Sequence, residues 1–214
     1  MIIDGGNHMN DKTMHKLTYG LFVLTACENG KDNGCIINTA IQLTTNPQRI
    51  SIAVNKGNYT HDMIMNTKMF TISMISEDAD FELFKRFGFQ SGRDVDKFAG
   101  FCDCKRGYND AMIITKGTNG YIAAWVDQTI DLGTHTLFLA LVTDMDVLSD
   151  VPSASYTYYQ KNIKPKPQQK AEKTGKTIWR CTVCGYEYQS DPIPEDFICP
   201  ICKHPASDFE KVEL

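Results

Sequence analysis

The sequence predicts a mainly β protein: a closed β-barrel with short helical inserts, followed by a small metal-stapled domain. Three observations predict it. Six short apolar or alternating runs between residues 19 and 142 have the length and spacing of barrel strands. Helical periodicity is confined to two brief stretches. Four of the eight cysteines crowd into residues 181–202 as two C-x-x-C pairs.

The elements follow in order. Residues 1–12 are an extra N-terminal segment: Met1–His8 (MIIDGGNH) has no periodicity and reads as an addition before a second start at Met9. Tyr19–Ala26 is a β-rich run. Asn33-Gly34 reads as a tight turn, because Asn-Gly suits the positive φ angles of a two-residue hairpin. Arg49–Val54 (RISIAV) and Phe70–Ser76 (FTISMIS) alternate as half-buried strands do. Thr60–Met69 begins one helix, and Phe81, Phe84 and Phe87 place the apolar face of a second over Asp80–Phe87. Ala111–Thr115 is a short apolar run, Gly117–Gly120 a turn, and Tyr121–Val126 and His135–Val142 two further strands. The alternating strand–helix pattern of a doubly wound fold is missing, as is a G-x-G-x-x-G after a strand, so no separate dinucleotide-binding domain is expected.

Charge divides the 214 residues into three parts. Residues 1–160 carry eighteen acidic and thirteen basic side chains, net −5; residues 161–176 carry six lysines and one acid, net +5; residues 177–214 carry seven acids and three bases, net −4. The middle stretch, with Pro165 and Pro167 and no hydrophobic periodicity, reads as a flexible basic linker between domains at 13–160 and 177–214. A total of −4 argues against nucleic acid as the main partner. No run of about 18 uncharged apolar residues predicts a membrane span. No signal peptide is recognisable, so a cytoplasmic location is expected.

That location bears on the cysteines. Cys181-x-x-Cys184-Gly185, fourteen intervening residues, then Cys199-Pro200-x-Cys202 present two sulfurs on each of two tight turns, which a tetrahedral thiolate site requires. Two disulfides are the alternative, disfavoured in a reducing compartment. Cys27, Cys35, Cys102 and Cys104 read as ordinary thiols, the C-x-C pair having no second half.

In the larger domain, Asn38, Thr39 and Gln42 offer hydrogen bonds to the polar edge of a planar heterocycle. Asn55–Thr60 (NKGNYT) at a strand end is a candidate phosphate cradle, or simply a surface loop. His61 and Asp62 read as capping or packing groups.

Two resemblances give these segments roles. The tail, through Trp179-x-Cys181-x-x-Cys184-Gly185-Tyr186-x-Tyr188, Phe197-x-Cys199-Pro200-x-Cys202 and Ser207-Asp208-Phe209, resembles a short-loop rubredoxin domain. The resemblance implies one iron held by Cys181, Cys184, Cys199 and Cys202, with zinc as the alternative, since zinc ribbons share the spacing. The larger domain, through Tyr19-Gly20, Asn33–Gln42, Arg49–Asp62, Arg93–Phe98 and Gly133–Val142, resembles the flavin reductase-like, FMN-binding split-barrel family, in its flavoredoxin branch. It implies a split β-barrel with short helices. It also implies that the stretch containing Asn33, Asn38, Thr39 and Gln42 lines the isoalloxazine, that Asn55, Lys56 and Thr60 hold the FMN phosphate, and that Lys97 and His135 lie at the flavin, His135 as the catalytic candidate. One of Tyr156, Tyr158 and Tyr159 would cover the flavin, and the assembly would be a homodimer.

Both halves together resemble the high-molecular-weight rubredoxins. The implied activity takes hydride from NAD(P)H, or electrons from an NAD(P)H-linked reductase, onto FMN. Single electrons then pass through Fe(Cys)4 to an acceptor such as a flavodiiron oxygen or nitric oxide reductase. Electron counting agrees, because a hydride carries two electrons, one iron exchanges one, and flavin converts between them. The rival expectations are a free flavin reductase that releases reduced FMN, and a non-enzymatic binding or sensing protein with a zinc ribbon.

Overall fold

A computed structural model describes residues 10–165, 177–182, 186–199 and 204–212. Met1–Met9, Cys184, Cys202 and the basic stretch from 166 to 176 lie outside the described residues. The main sheet holds β1 (Phe22–Glu28), β2 (Lys31–Ile37), β3 (Ala40–Thr45), β4 (Gln48–Asn55), β5 (Met69–Ile75), β8 (Thr118–Asp131) and β9 (His135–Val147) in the order β2-β1-β5-β8-β9-β4-β3, every pair antiparallel. Helix α1 (Tyr59–Thr67) joins β4 to β5, and α2 (Phe81–Gly88) follows β5. Strands β6 (Cys104–Arg106) and β7 (Met112–Ile114) form a separate two-stranded sheet.

Chain connectivity curls the main sheet. β2 and β3 are opposite edges, yet only Asn38 and Thr39 lie between them. Three Cα steps span at most about 11 Å. Seven strands laid flat would hold the edges about 29 Å apart. The edges therefore approach each other, but they exchange no ladder. The expectation of a closed barrel is corrected to a barrel split along the β2/β3 seam, with Asn38 and Thr39 on that seam. Leu24, Ile52, Val54, Phe70, Ile72, Phe138 and Ala140 fill the interior, closed at one end by Met63 and Ile64 of α1. A second cluster outside the sheet packs Phe84 and Phe87 of α2 against Val23, Ile75 and Ile114. The Asp80 carboxylate caps α2 by accepting from the Leu83 N–H at 3.2 Å; of the stripe that the spacing predicts, Phe84 and Phe87 are buried, together with Leu83, and Phe81 is half-buried at the helix start.

The hairpin turn is not Asn33-Gly34. Asn29 and Gly30 take φ of 51° and 77° and close the β1–β2 hairpin, while Asn33 and Gly34 lie within β2. Gly34 is instead a close-approach position. A Cβ there would meet the Leu24 carbonyl oxygen at 3.0 Å and the Phe87 ring at 3.1 Å. Gly34→Ala is expected to destabilise the domain by about 1–3 kcal/mol through overpacking. That lowers Tm by several degrees in a thermal melt, and an unchanged Tm would contradict the packing described.

The small domain pairs β10 (Ile178–Cys181) with β11 (Glu187–Gln189) and β12 (Phe209–Val212), in the order β11-β10-β12. Cys181, Cys199 and Phe209 form its buried centre, surrounded by Trp179, Tyr186, Tyr188, Ile193 and Phe197. Tyr188 stacks on Phe197 with ring centroids 4.0 Å apart. Among the described residues, no helix is long and apolar enough to cross a membrane.

Candidate flavin site and metal centre

The nine candidate residues of the large domain fall into three neighbouring groups. Asn33 on β2 is buried and donates through Nδ2 to Thr60 Oγ1 at 3.0 Å, so the strand holds the first turn of α1. Asn33 Oδ1 has no partner among the described residues and faces Gly92, where a Cβ would stand 2.0 Å from it. Lys97 is only 4% exposed, although a surface position is the ordinary expectation for lysine. Its Nζ donates to the Gly34 carbonyl at 2.8 Å and the Phe87 carbonyl at 3.0 Å. Among the described residues no carboxylate pairs with it, and burial lowers its pKa below the ordinary 10.5. Cys35 packs beside this ammonium as a buried thiol whose pKa burial raises.

The second group lies where β4 and β9 end. Asn55 opposes His135 in the ladder, and Lys56 N–H donates to the Thr134 carbonyl at 3.0 Å. Asn55 Oδ1 accepts from Gly57 N–H at 2.8 Å, which shapes the turn into α1. That helix starts after Asn58 with no side-chain cap; His61 N–H donates to the Asn58 carbonyl at 3.0 Å, and the N–H groups of Tyr59 and Thr60 ahead of it keep their capacity for an anion. Lys56 Nζ is held by Asp131 at 2.6 Å, a partner 75 residues away that the motif did not reveal. His135 Nδ1 lies 2.9 Å from Thr134 Oγ1.

His61 and Asp62 hold this end together, in keeping with the packing role expected of them. His61 Nε2 contacts Thr136 Oγ1 at 2.9 Å, its Nδ1 contacts Asp62 Oδ1 at 3.0 Å, and Arg93 Nη2 donates to Asp62 Oδ2 at 2.6 Å. The hydrogen bond with His61, then that from Arg93, lowers the Asp62 pKa below its ordinary 3.8. A depressed folded-state pKa gives stability that is present above about pH 4 and is lost as pH falls through the folded value. Asp62→Asn is therefore expected to reduce stability at pH 6, by at most about 0.5 kcal/mol after solvent screening. The difference from wild type should shrink as pH falls below about 4. Thermal melts across that range check it, and a difference that grows in acid would contradict the network.

The third group lies at the seam. Asn38 and Thr39 line an open cavity of about 630 Å³ with Tyr19 and Tyr156, and Lys161 is at its rim. Thr39 Oγ1 also donates to the Ala53 carbonyl at 2.7 Å, tying the link to β4. Gln42 is not in this cavity. It lies on exposed β3 and lines an adjacent groove with Ile41, Ile72 and Met145. Of the three tyrosines, Tyr156 is the one that lines the cavity, whereas Tyr159 is buried against Phe84 at 4.3 Å between centroids.

In the small domain Cys181 and Cys199 are buried side chains of one cluster, each from a different C-x-x-C pair. Their backbone N–H groups donate to the Tyr186 and His204 carbonyls, both at 2.8 Å.

Comparison with known proteins agrees with this division. A family model described as "Flavin reductase like domain" matches residues 14–166, and one described as "Rubrerythrin, rubredoxin-like domain" matches residues 179–210. The chain belongs to the flavin reductase-like family. Its two-domain organisation is shared with the "High molecular weight rubredoxin" of Moorella thermoacetica, to which it is 34% identical over 95% of its own length and 100% of the relative. The "Ferric-chelate reductase (NAD(P)H)" of Archaeoglobus fulgidus is 33% identical over 76% of the chain and 96% of the relative. An FMN-binding protein from Thermus thermophilus shares the fold at a TM-score of 0.58 and 19% identity, over 68% of this chain and 81% of that one. This flavin reductase-like protein therefore works in flavin-dependent oxidoreduction, with an iron–thiolate centre in its rubredoxin-like domain.

The residues present fit both groups. A buried ammonium compensated only by carbonyls favours an anion nearby, as does an uncapped helix start beside Lys56. The seam cavity falls within the size range of small-molecule sites. Two buried thiols drawn from separate pairs are the soft donors that iron or zinc requires.

Proposed function

We propose that the protein takes reducing equivalents from NAD(P)H at the split barrel and delivers single electrons through its thiolate centre to an external acceptor, a flavodiiron oxygen or nitric oxide reductase being the acceptor of choice. The observation that carries this reading is the union, in one chain, of a flavin reductase-like domain and a rubredoxin-like domain. When bound, FMN would supply the exchange of a two-electron hydride for single electrons, and an iron held by Cys181, Cys184, Cys199 and Cys202 would supply one-electron chemistry.

The chain's own side chains hold and tune these groups. Asn55, Lys56 and the start of α1 bind the phosphate, with Asp131 yielding Lys56 to it. Asn33 acts through Thr60, keeping the helix start in place. Asn38, Thr39 and Gln42 supply polar contacts along the seam, and Tyr156 closes over the ring from the cavity wall. Lys97 places fixed positive charge beside the flavin and favours its reduced, anionic form. His135, at the start of β9, orients the hydride donor. Cys181, Cys184, Cys199 and Cys202 ligate the iron. A homodimer completes each flavin site, and exposed Trp125, Ile130 and Leu132 on the β8–β9 hairpin supply apolar surface for it. A name containing NAD(P)H among the relatives supports the donor.

The test is composition. Purified protein should show flavin absorption with a ferric–thiolate component, and one FMN and one iron per chain by extraction and elemental analysis. Flavin with zinc as the only metal, in protein produced with ample iron, would overturn the relay.

A further inference from the structure

We propose that Phe89, at the end of α2, is the seat on which the rubredoxin-like domain docks, so that the Cys181 and Cys199 side of its centre rests against the loop that carries Lys97. This rests on the relay reading above and adds where the two domains meet.

Phe89 follows the last residue of α2, and its N–H donates to the Lys85 carbonyl at 3.3 Å. Its ring lies 5.8 Å from that of Phe81 and packs on the outer cluster of the large domain. The same side chain also packs against the cluster formed by Cys181, Cys199 and Phe209. Among the described residues before 166, it is the apolar side chain that reaches that cluster. One aromatic therefore packs against both hydrophobic centres, and the one in the small domain is the cluster that includes the buried cysteines.

The position connects to the flavin side. Phe89 opens the segment whose Gly92 lies against Asn33 and whose Lys97 donates to the carbonyl of Phe87, two residues before Phe89. A domain resting on Phe89 thus rests on the same piece of backbone that fixes the buried ammonium. Glu82 pairs with Lys85, which leaves the Arg86 guanidinium as the positive charge near this contact that no carboxylate among the described residues takes up, while residues 177–214 carry net −4. The contact is also small. A single aromatic contact on a tether gives a docked state that forms readily through high effective concentration and still releases. A carrier that must also visit a separate acceptor needs that reversibility.

The test uses the full FMN-loaded chain with zinc in the thiolate site, which keeps it diamagnetic. In ¹⁵N relaxation at low salt, amides of 177–212 should share the rotational correlation time of the large domain in the wild type. In Phe89→Glu they should tumble several-fold faster. In the iron form, iron reduction after flavin reduction should slow about tenfold in Phe89→Glu, with flavin reduction by NAD(P)H unchanged. Phe89→Leu keeps apolar bulk against Phe81 and should give an intermediate loss in both readouts. Unchanged tumbling and unchanged iron reduction in both variants would overturn the seat. If iron in the wild type is never reduced through the flavin, the relay fails, and the tumbling comparison still decides the seat alone.

Discussion

Replacing Cys199 with serine is expected to strip the rubredoxin-like domain of its metal while leaving the flavin domain folded. Cys199 is fully buried in the three-residue centre with Cys181 and Phe209, and its N–H is fixed by the His204 carbonyl. A serine oxygen is harder and far less acidic than a thiol, so the site loses one of its four soft ligands. Metal affinity should fall by more than about 100-fold, since disturbing even a supporting contact costs 10–100-fold. Folding goes with it. Residues 177–214 are too few to bury an adequate core, and binding to structural thiolate sites contributes roughly 10–16 kcal/mol in small zinc peptides. Elemental analysis should give less than one metal per ten chains, with loss of the near-ultraviolet circular dichroism of Trp179, Tyr188 and Phe197. Flavin content and the melting of residues 13–160 should be unchanged. Full metal retention would show that Cys199 is not a ligand.

The second large effect is expected at Lys97. Removing its ammonium by Lys97→Met takes away the buried cation that the proposed function sets beside the flavin. Charge-assisted hydrogen bonds contribute about 1.5–3 kcal/mol, so FMN should bind about 10- to 150-fold more weakly. The flavin reduction potential should also fall, because the anionic reduced form loses its counter-charge. An independent signature lies in the apo-protein. Burial depresses the folded-state pKa of Lys97 below 10.5. Between that depressed value and 10.5 the unfolded chain holds more protons, so stability rises with pH across the window. Below the window Lys97 is charged in both states and adds no slope. Urea unfolding of wild type and Lys97→Met from pH 7 to 10.5 should show that rise in the wild type and lose its Lys97 share in the variant. Equal slopes would place the ammonium in water.

Both predictions use residues that the sequence marks, yet for different reasons. The thiolate site was legible because ligand spacing is local: two sulfurs per tight turn read directly off C-x-x-C. The α2 stripe was legible because Phe81, Phe84 and Phe87 share one helix face, of which Phe84 and Phe87 are buried. Strands β2 and β3 were not legible. β2 runs through Asp32-Asn33-Gly34, which looks like a turn, and its glycine is required by the neighbouring Phe87 ring, a tertiary demand. β3 is an exposed edge with apolar Ile41 and Leu43 facing out, so it lacks the alternation of a half-buried strand.

The split in the barrel likewise came from order rather than pattern. It follows from two edges joined by two residues, which no single strand reports. Within the candidate site, Asn55 and Lys56 share one strand end because they are adjacent in sequence, whereas Thr60, from the same motif, is buried against Asn33. Asp131, which holds Lys56, and Arg93, which braces Asp62, come from 75 and 31 residues away and carried no local signal. Lys97 was marked only by resemblance, since nothing around it in sequence announces burial. Phe89 carried no mark at all, because its second partner lies in the other domain.

The central claim is that hydride arriving at the flavin leaves as single electrons through the iron of the same assembly. Anaerobic rapid mixing of the oxidised, FMN- and iron-loaded protein with NADH or NADPH tests it most directly, with flavin and ferric–thiolate absorbance followed together. The account predicts that flavin bleaches first and iron follows, at a rate independent of protein concentration. Iron that stays oxidised while the flavin is fully reduced, or that is reduced at a rate proportional to protein concentration, would contradict it.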